Sequence, residues 1–243
     1  MKSFYSLLHW FVVFVAISIL IEPTLAQEQK KHRSEAGGKG YFMVGFGKLD
    51  LGSLNSRLKA KNYPEFKENY VSLGGGGHAV IGKLIIGGDG EGHITTETTY
   101  GNQNNSLEVG YGFFDIGYIL LSSKNLQIYP LIGIGGGGIE LQIVEKGASE
   151  FDDILDNPKR MSKISTGGLL MQFCLGADYL LSFNGNEGSI GGLVFGVRIG
   201  YKFTPIKSNW SMENLEISNG PELGITGPFI RIMFGGGGLG REK

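Results

Sequence analysis

Between Gly191 and Phe203 the chain reads Gly-Gly-Leu-Val-Phe-Gly-Val-Arg-Ile-Gly-Tyr-Lys-Phe. Successive side chains of a β-strand point to opposite faces. Leu193, Phe195, Val197, Ile199, Tyr201 and Phe203 therefore share one face, and Gly192, Val194, Gly196, Arg198, Gly200 and Lys202 share the other. One face is apolar and aromatic; the other is small and cationic. A water-soluble sheet lays its apolar face on a core, whereas a lipid-facing barrel strand opposes a polar or glycine-lined lumen. This stretch fits both arrangements, and the remaining residues have to choose between them.

Glycine contributes 42 of 243 residues, more than twice the ordinary share of about 7%. There is no collagen-like period, proline is held to 7, and aromatics make up 11% of the chain, so the glycine belongs to a packed structure. The length suits one barrel or sandwich domain. A net charge of -1 supplies no basic field to draw in nucleic acid, and no run of interleaved aromatic and basic residues offers a stacking platform for bases.

Lys2, the apolar run Phe11 to Ile21 and then Thr24-Leu25-Ala26 have the order of a secretory signal, so residues 1–26 are expected to be a signal peptide cleaved before Gln27. The run is too short to span a bilayer as a helix, and no later segment approaches about 18 uncharged apolar residues. The single cysteine, Cys174, has no intramolecular partner, which leaves packing and sheet closure to hold an exported chain together. Residues 27–40, rich in Lys, His and Gly, are expected to be a flexible tether.

Eight strands follow from alternation and turn signals. They lie around Tyr41–Gly47, Tyr70–Gly87, His93–Tyr100, Ser106–Leu121, Leu126–Glu145, Thr166–Phe183, Gly191–Phe203 and Leu223–Phe234. Leu51, Leu54 and Leu58 recur at helical spacing with Ser53 available as a cap, which predicts a short helix after the first strand. Gly88-Asp89-Gly90-Glu91-Gly92 reads as a tight turn, and Phe151, Ile154 and Leu155 as one or two helical turns. Long connections at 49–69, 146–165 and 204–221 are the first, fifth and seventh. In an up-and-down meander they all fall at one end. The predicted fold is all-β: a single eight-stranded antiparallel up-and-down barrel at 41–238 with a short inserted helix and a C-terminal tail at 239–243.

With its signal, its meander with one-sided long loops and the alternating strands Thr166–Phe183 and Gly191–Phe203, the chain resembles the small eight-stranded outer-membrane barrels of Gram-negative bacteria over roughly residues 41–238. The resemblance implies an exported, monomeric outer-membrane protein in contact with lipid. Its role would be structural or in surface interaction through the long loops, without catalysis and without a cofactor. The alternative is a soluble secreted or periplasmic barrel with an apolar ligand cavity, lipocalin-like in architecture.

Several residues are candidates for sites. Glu97, Gln142, Gln172, Asp178, Arg198, Lys202 and Arg231 share the polar faces of their strands and are expected to form a lumen network that plugs the barrel, because a narrow lumen does not tolerate an unpaired charge. Leu193, Phe195, Val197, Ile199 and Tyr201 are expected to face lipid. Asp89, Glu91 and His93, at a spacing of two, offer an O, O, N set to a metal if the strand runs through them, or lie in a flexible turn if it does not. The tetraglycines at 74–77, 135–138 and 235–238 invite a phosphate-cradle reading but lack the Gly-Lys-Ser/Thr ending, and glycine in a strand also relieves crowding in a narrow barrel. No nucleophile-elbow, zinc-ligand or Ser/His/Asp pattern appears. Asn104 and Asn209 head glycosylation sequons that operate only in a eukaryotic secretory pathway.

Overall fold

The computed structural model describes residues 35–123, 125–145, 150–156, 161–183, 189–213 and 215–241. The expected signal peptide at 1–26 and residues 27–34 of the expected tether lie outside the described residues.

Twelve strands join in one antiparallel sheet. Eight long strands, counting β3 with its continuation β4, form a closed circuit. They are β1 (Glu35–Lys48), β2 (Asn69–Ile81), β3 (Leu84–His93) continued by β4 (Thr96–Tyr100), β5 (Gln103–Tyr118), β7 (Leu126–Glu145), β8 (Met161–Phe183), β9 (Ser189–Lys207) and β12 (Gly227–Arg241). Each pairs with the next in this order, and β12 pairs back onto β1, so no long edge is left open. The short strands β6 (Leu121–Ser122), β10 (Trp210–Met212) and β11 (Leu215–Ile217) lie in the connections. The expectation of eight strands and nothing more is thus corrected to a ring with short strands appended to it.

Strand boundaries also shift. β1 begins at Glu35 and β12 runs to Arg241, with Glu35 opposite Arg241, so residues 35–40 are strand and not tether, and 239–241 are strand and not tail. Gly88–Gly92 is no turn: it lies inside β3, and the hairpin turns at Gly82, whose φ of 61° suits glycine. β3 leaves its ladder with β5 at Gly92↔Gly110, and β4 resumes it at Thr96↔Leu107. Four residues on one strand answer three on the other, which makes a β-bulge at Ile94–Thr95.

The connections at 49–68, 146–160 and 208–226 emerge at one end of the ring, which we call the loop end. The turns at 82–83 and 119–125, and both ends of the described sheet, lie at the other, the turn end. Helix α1 (Gly52–Ala60) follows β1, and a six-residue α2 (Phe151–Asp156) sits in the fifth connection. Ser53 does not cap α1; its hydroxyl donates to Glu222 O instead. The spacing of Leu51, Leu54 and Leu58 lays one face of α1 into the mouth of the ring. There it packs with Phe66, Leu107, Val109, Ile139, Leu141, Leu170, Trp210 and Leu223 in an apolar plug. Asn55 ties the end of the loop to the helix by reciprocal hydrogen bonds with Phe66 (2.9 Å each).

Candidate functional site

Below the apolar plug the interior is polar. A second apolar cluster of Val80, Ile85, Ile119, Tyr129, Leu131, Cys174 and Phe229 closes it toward the turn end. Alternation in β9 sends Arg198 and Lys202 inward, and that in β12 sends Arg231 inward; all three are fully buried. Arg198 Nη1 donates to Asp89 Oδ2 at 3.0 Å, and its Nη2 donates to Tyr41 OH and His78 Nδ1, each at 3.0 Å. His78 Nδ1 is therefore the acceptor nitrogen, and Nε2 carries the proton toward Asp115 Oδ2 at 3.2 Å.

Arg231 lies 3.0 Å from Glu91 and 3.4 Å from Asp89, and its Nη1 donates to Gln172 Oε1 at 3.0 Å. Gln172 Nε2 in turn donates to Asp115 Oδ1 at 2.8 Å. Lys202 Nζ donates to Tyr70 OH at 2.7 Å and to Tyr111 OH, and the Tyr111 hydroxyl donates to Glu91. Nearer the turn end, Lys39 pairs with Asp178, which also accepts from Tyr129 OH at 2.9 Å. Lys39 thus pairs with Asp178, Arg198 with Asp89, and Arg231 with Asp89 and Glu91, while Lys202 reaches Glu91 through Tyr111 and Asp115 is held by His78 and Gln172. Tyr129, which donates to Asp178 and lies 3.4 Å from Arg198 Nε, joins these contacts into one connected ladder. Pairing of this kind is what makes buried charge tolerable. Room for it comes from inward glycines: a Cβ on Gly133 would sit 2.4 Å from Asp115 Oδ1 and 2.7 Å from Gln172 Cγ.

Of the predicted lumen residues, the structure brings Gln172, Asp178, Arg198, Lys202 and Arg231 together in this ladder. Glu97 and Gln142 are not part of it. The bulge at Ile94–Thr95 reverses the phase of β4, so Thr98 points inward and Glu97 is exposed outside. In β7 the buried Ile139 and Leu141 hold the inner face, which leaves Gln142 outside, donating to Glu140 at 2.9 Å. The polar-inside expectation fails at that level because the barrel there is filled by the apolar plug and wears its polar residues outward. Sequence reasoning missed Lys39, Tyr41, Tyr70, His78, Tyr111, Asp115 and Tyr129. Asp115, a lone carboxylate in Phe-Phe-Asp-Ile, carried a usable signal.

Asp89, Glu91 and His93 do share one face of β3. Asp89 is consumed by Arg198 and Arg231, Glu91 by Arg231 and Tyr111, and the His93 ring stacks on Tyr70 at 3.7 Å. Among the described residues no group of three His, Cys, Asp or Glu side chains is placed to hold a metal, which corrects the metal reading of that trio. The phosphate-cradle reading of the tetraglycines also fails, since all three tracts are strand, in β2, β7 and β12.

Outside, Phe195, Val197, Ile199 and Tyr201 of β9 are exposed, and Leu193 on the same face is half-buried. Neighbouring strands continue this face with Ile230, Ile232 and Phe234 of β12, Phe42 and Phe46 of β1, Phe114 and Ile116 of β5, Ile132 and Ile134 of β7 and Leu175 of β8. Tyr118 and Tyr179 edge this belt toward the turn end, with Lys83 Nζ 5.8 Å from the Tyr118 ring centre. Toward the loop end it gives way to Glu108, Glu140 and Lys163, the last two paired at 2.7 Å.

No family model and no curated protein matches the chain. Among solved structures it is similar to Ail, the attachment invasion locus protein of Yersinia pestis, in complex with the heparin analogue sucrose octasulfate, at 10% identity over 85% of this chain and 99% of that one, with a TM-score of 0.39. It is similar to the outer membrane protein OprG from Pseudomonas aeruginosa at 14% identity over 87% and 98%, with a TM-score of 0.36. For the outer membrane protease OmpT from Escherichia coli the values are 9% identity over 86% and 95%, with a TM-score of 0.30. The chain resembles these proteins in architecture alone.

Proposed function

We propose that the protein is an outer-membrane β-barrel that crosses the bilayer with its strands, keeps a plugged lumen and serves as a structural or surface-interaction element without catalysis. The observation that carries this reading is the inversion of polarity: the charges lie fully buried inside the ring, while Phe195, Ile199, Ile232 and Phe234 lie exposed outside it. In water that arrangement exposes a contiguous apolar girdle far larger than a soluble monomer tolerates. In a bilayer the girdle is solvated by acyl chains, and the closed ladder satisfies the backbone.

Access supports the reading without catalysis. His78, Asp115 and Asp89 have the chemistry of an acid–base set, but their side chains have no exposure, so no substrate reaches them. The soluble ligand-binding alternative needs a hollow apolar interior, and the interior described here is occupied by the plug and the ladder. Surface interaction is left to the loop end, where α1 is anchored by Leu54 and Leu58 and exposes Arg57 and Lys59, with Lys61 exposed just past its end. Membrane fractionation tests the reading together with unheated gel electrophoresis. The protein should sediment with membranes, require detergent for release and migrate faster before boiling; recovery in the aqueous fraction would overturn it.

A further inference from the structure

On the outer wall of the barrel, where the apolar belt ends and the polar loop end begins, lies a cavity of about 550 Å³. Its floor is bare backbone at Gly92 of β3, Gly110 of β5 and Gly138 of β7, and its wall carries Glu108, Glu140 and Ser165. The floor is not imposed by packing inside the barrel. A Cβ on Gly92 or Gly110 would find its nearest neighbour at 3.9 or 4.0 Å, and one on Gly138 at 3.3 Å. By contrast, inward-facing Gly137 would meet Tyr111 Cβ at 2.6 Å. The bulge at Ile94–Thr95 opens the wall at this place, between the last β3 pair, Gly92↔Gly110, and the first β4 pair, Thr96↔Leu107.

The charge in the cavity is unbalanced. Glu108 stands directly opposite Glu140 in the β5–β7 register, and like charges facing across a ladder are destabilising. Lys163 pairs with Glu140 at 2.7 Å; no described cation pairs with Glu108. The cavity thus offers one uncompensated carboxylate and a second carboxylate above a flat floor, beside the Ser165 hydroxyl, which lies 3.4 Å from Ser211 Oγ, at the level where the apolar belt gives way to polar residues. Further down the same strands, past the outward pair Gly112 and Gly136, are Phe114 and Ile134, both exposed.

We infer that this cavity is a lipid site, taking an amine-bearing, hydroxyl- or phosphate-carrying headgroup whose ammonium sits between Glu108 and Glu140 and whose acyl chains run down over Phe114 and Ile134. The complementarity of a cationic headgroup to the unpaired carboxylate, and the continuity of the cavity with the apolar belt, select a lipid over a soluble cation. The inference rests on the membrane reading above.

The test uses the full mature chain reconstituted in nanodiscs of mixed phosphatidylethanolamine and phosphatidylglycerol, with retained lipid counted by native mass spectrometry. The protein should retain phosphatidylethanolamine preferentially. Glu108→Gln should reduce that preference about tenfold, the scale of one charge-assisted contact, and Glu216→Gln, outside the cavity, should leave it unchanged. Gly110→Val, which fills the floor from the outside, should abolish it while the unheated gel shift shows a folded barrel. Equal retention of the two lipids, or a preference that survives both cavity variants, would overturn the inference. So would retention of phosphatidylglycerol that requires Ca²⁺ and is lost with chelator, which would mark a bridging metal instead of an amine. Failure of the protein to enter nanodiscs would sink the membrane reading itself, a result distinct from entry without lipid preference.

Discussion

Arg198 is the residue on which the interior turns. It touches Asp89, Tyr41 and His78 within 3.0 Å, stacks its guanidinium 4.9 Å from the Tyr41 ring centre, and is fully buried. Removing it leaves Asp89 with Arg231 alone and strips His78 Nδ1 and Tyr41 of a donor. Breaking one partner out of a buried ionic set typically costs about 3–5 kcal/mol. We therefore expect Arg198→Ala to lower the denaturant midpoint of the folded barrel strongly, and Lys207→Ala, whose ion pair with Glu222 spans 3.6 Å at the surface, to change it by no more than about 1 kcal/mol. Equal midpoints for the two variants would refute the ladder as a stabilising unit. Gly133 offers a steric counterpart. Its Cβ position is taken by Asp115 and Gln172, so Gly133→Val is expected to prevent those side chains from meeting and to cost at least the 1–3 kcal/mol of an overpacked core. Outward Gly136, where a Cβ has 3.7 Å of space, should accept Ala with little effect in the same unfolding assay.

At the scale of elements, α1 closes the loop end because Leu54 and Leu58 are nearly inaccessible in the plug while Arg57 and Lys59 remain outside. Leu54→Ala should remove about 2–5 kcal/mol of stability and raise protease cleavage in the 49–68 connection, with the barrel migration on unheated gels retained. Unchanged cleavage would mean that α1 does not depend on this contact. The same scale shows where the sequence could be read and where it could not. Between Met171 and Phe183 and between Gly191 and Phe203, beyond the register shift at Leu169–Met171, β8 and β9 alternate cleanly, so the placement of Gln172, Asp178, Arg198 and Lys202 on one face was legible. The tetraglycine in β2 carries no side chains to mark phase, so the inward side of His78 and the hairpin at Gly82 were not legible within the predicted strand Tyr70–Gly87. Gly88-Asp89-Gly90-Glu91-Gly92 has the composition of a turn, so Asp89 and Glu91 were not recognised as strand positions. Glu97 was misplaced by a one-residue bulge, which alternation alone cannot register. Gln142 was misplaced because the rule of polar inside and apolar outside holds only within the belt. Above it, α1 supplies an apolar interior that comes from a different part of the chain.

At the scale of the whole molecule, the outer belt and the buried ladder make linked claims that separate experiments can test. Val197 stands midway along the outward run of β9, between Phe195 and Ile199. If that face meets acyl chains, Val197→Arg should destabilise the barrel by about 2–4 kcal/mol near the bilayer midplane, measured by reversible unfolding in lipid vesicles. A water-facing strand would accept the arginine with a change within about 0.5 kcal/mol. The interior makes the second claim. A ring of eight strands encloses only enough room for its own side chains, and here that room holds the α1 plug, the ladder from Lys202 to Asp178 and the apolar cluster around Tyr129. An ion passing through would have to part Arg231 from Glu91 and Asp89 and Arg198 from Asp89 at once, and these contacts are buried away from water that could replace them. Planar-bilayer recordings of the purified protein are therefore expected to show no large, steady single-channel current. The variant Arg198→Ala should lose stability without gaining conductance, because the plug and the remaining pairs still fill the section. Reproducible steady currents from the unmodified protein would refute the closed lumen, and ion selectivity that shifts on Arg198→Ala would identify the ladder as the lining of a conducting pathway.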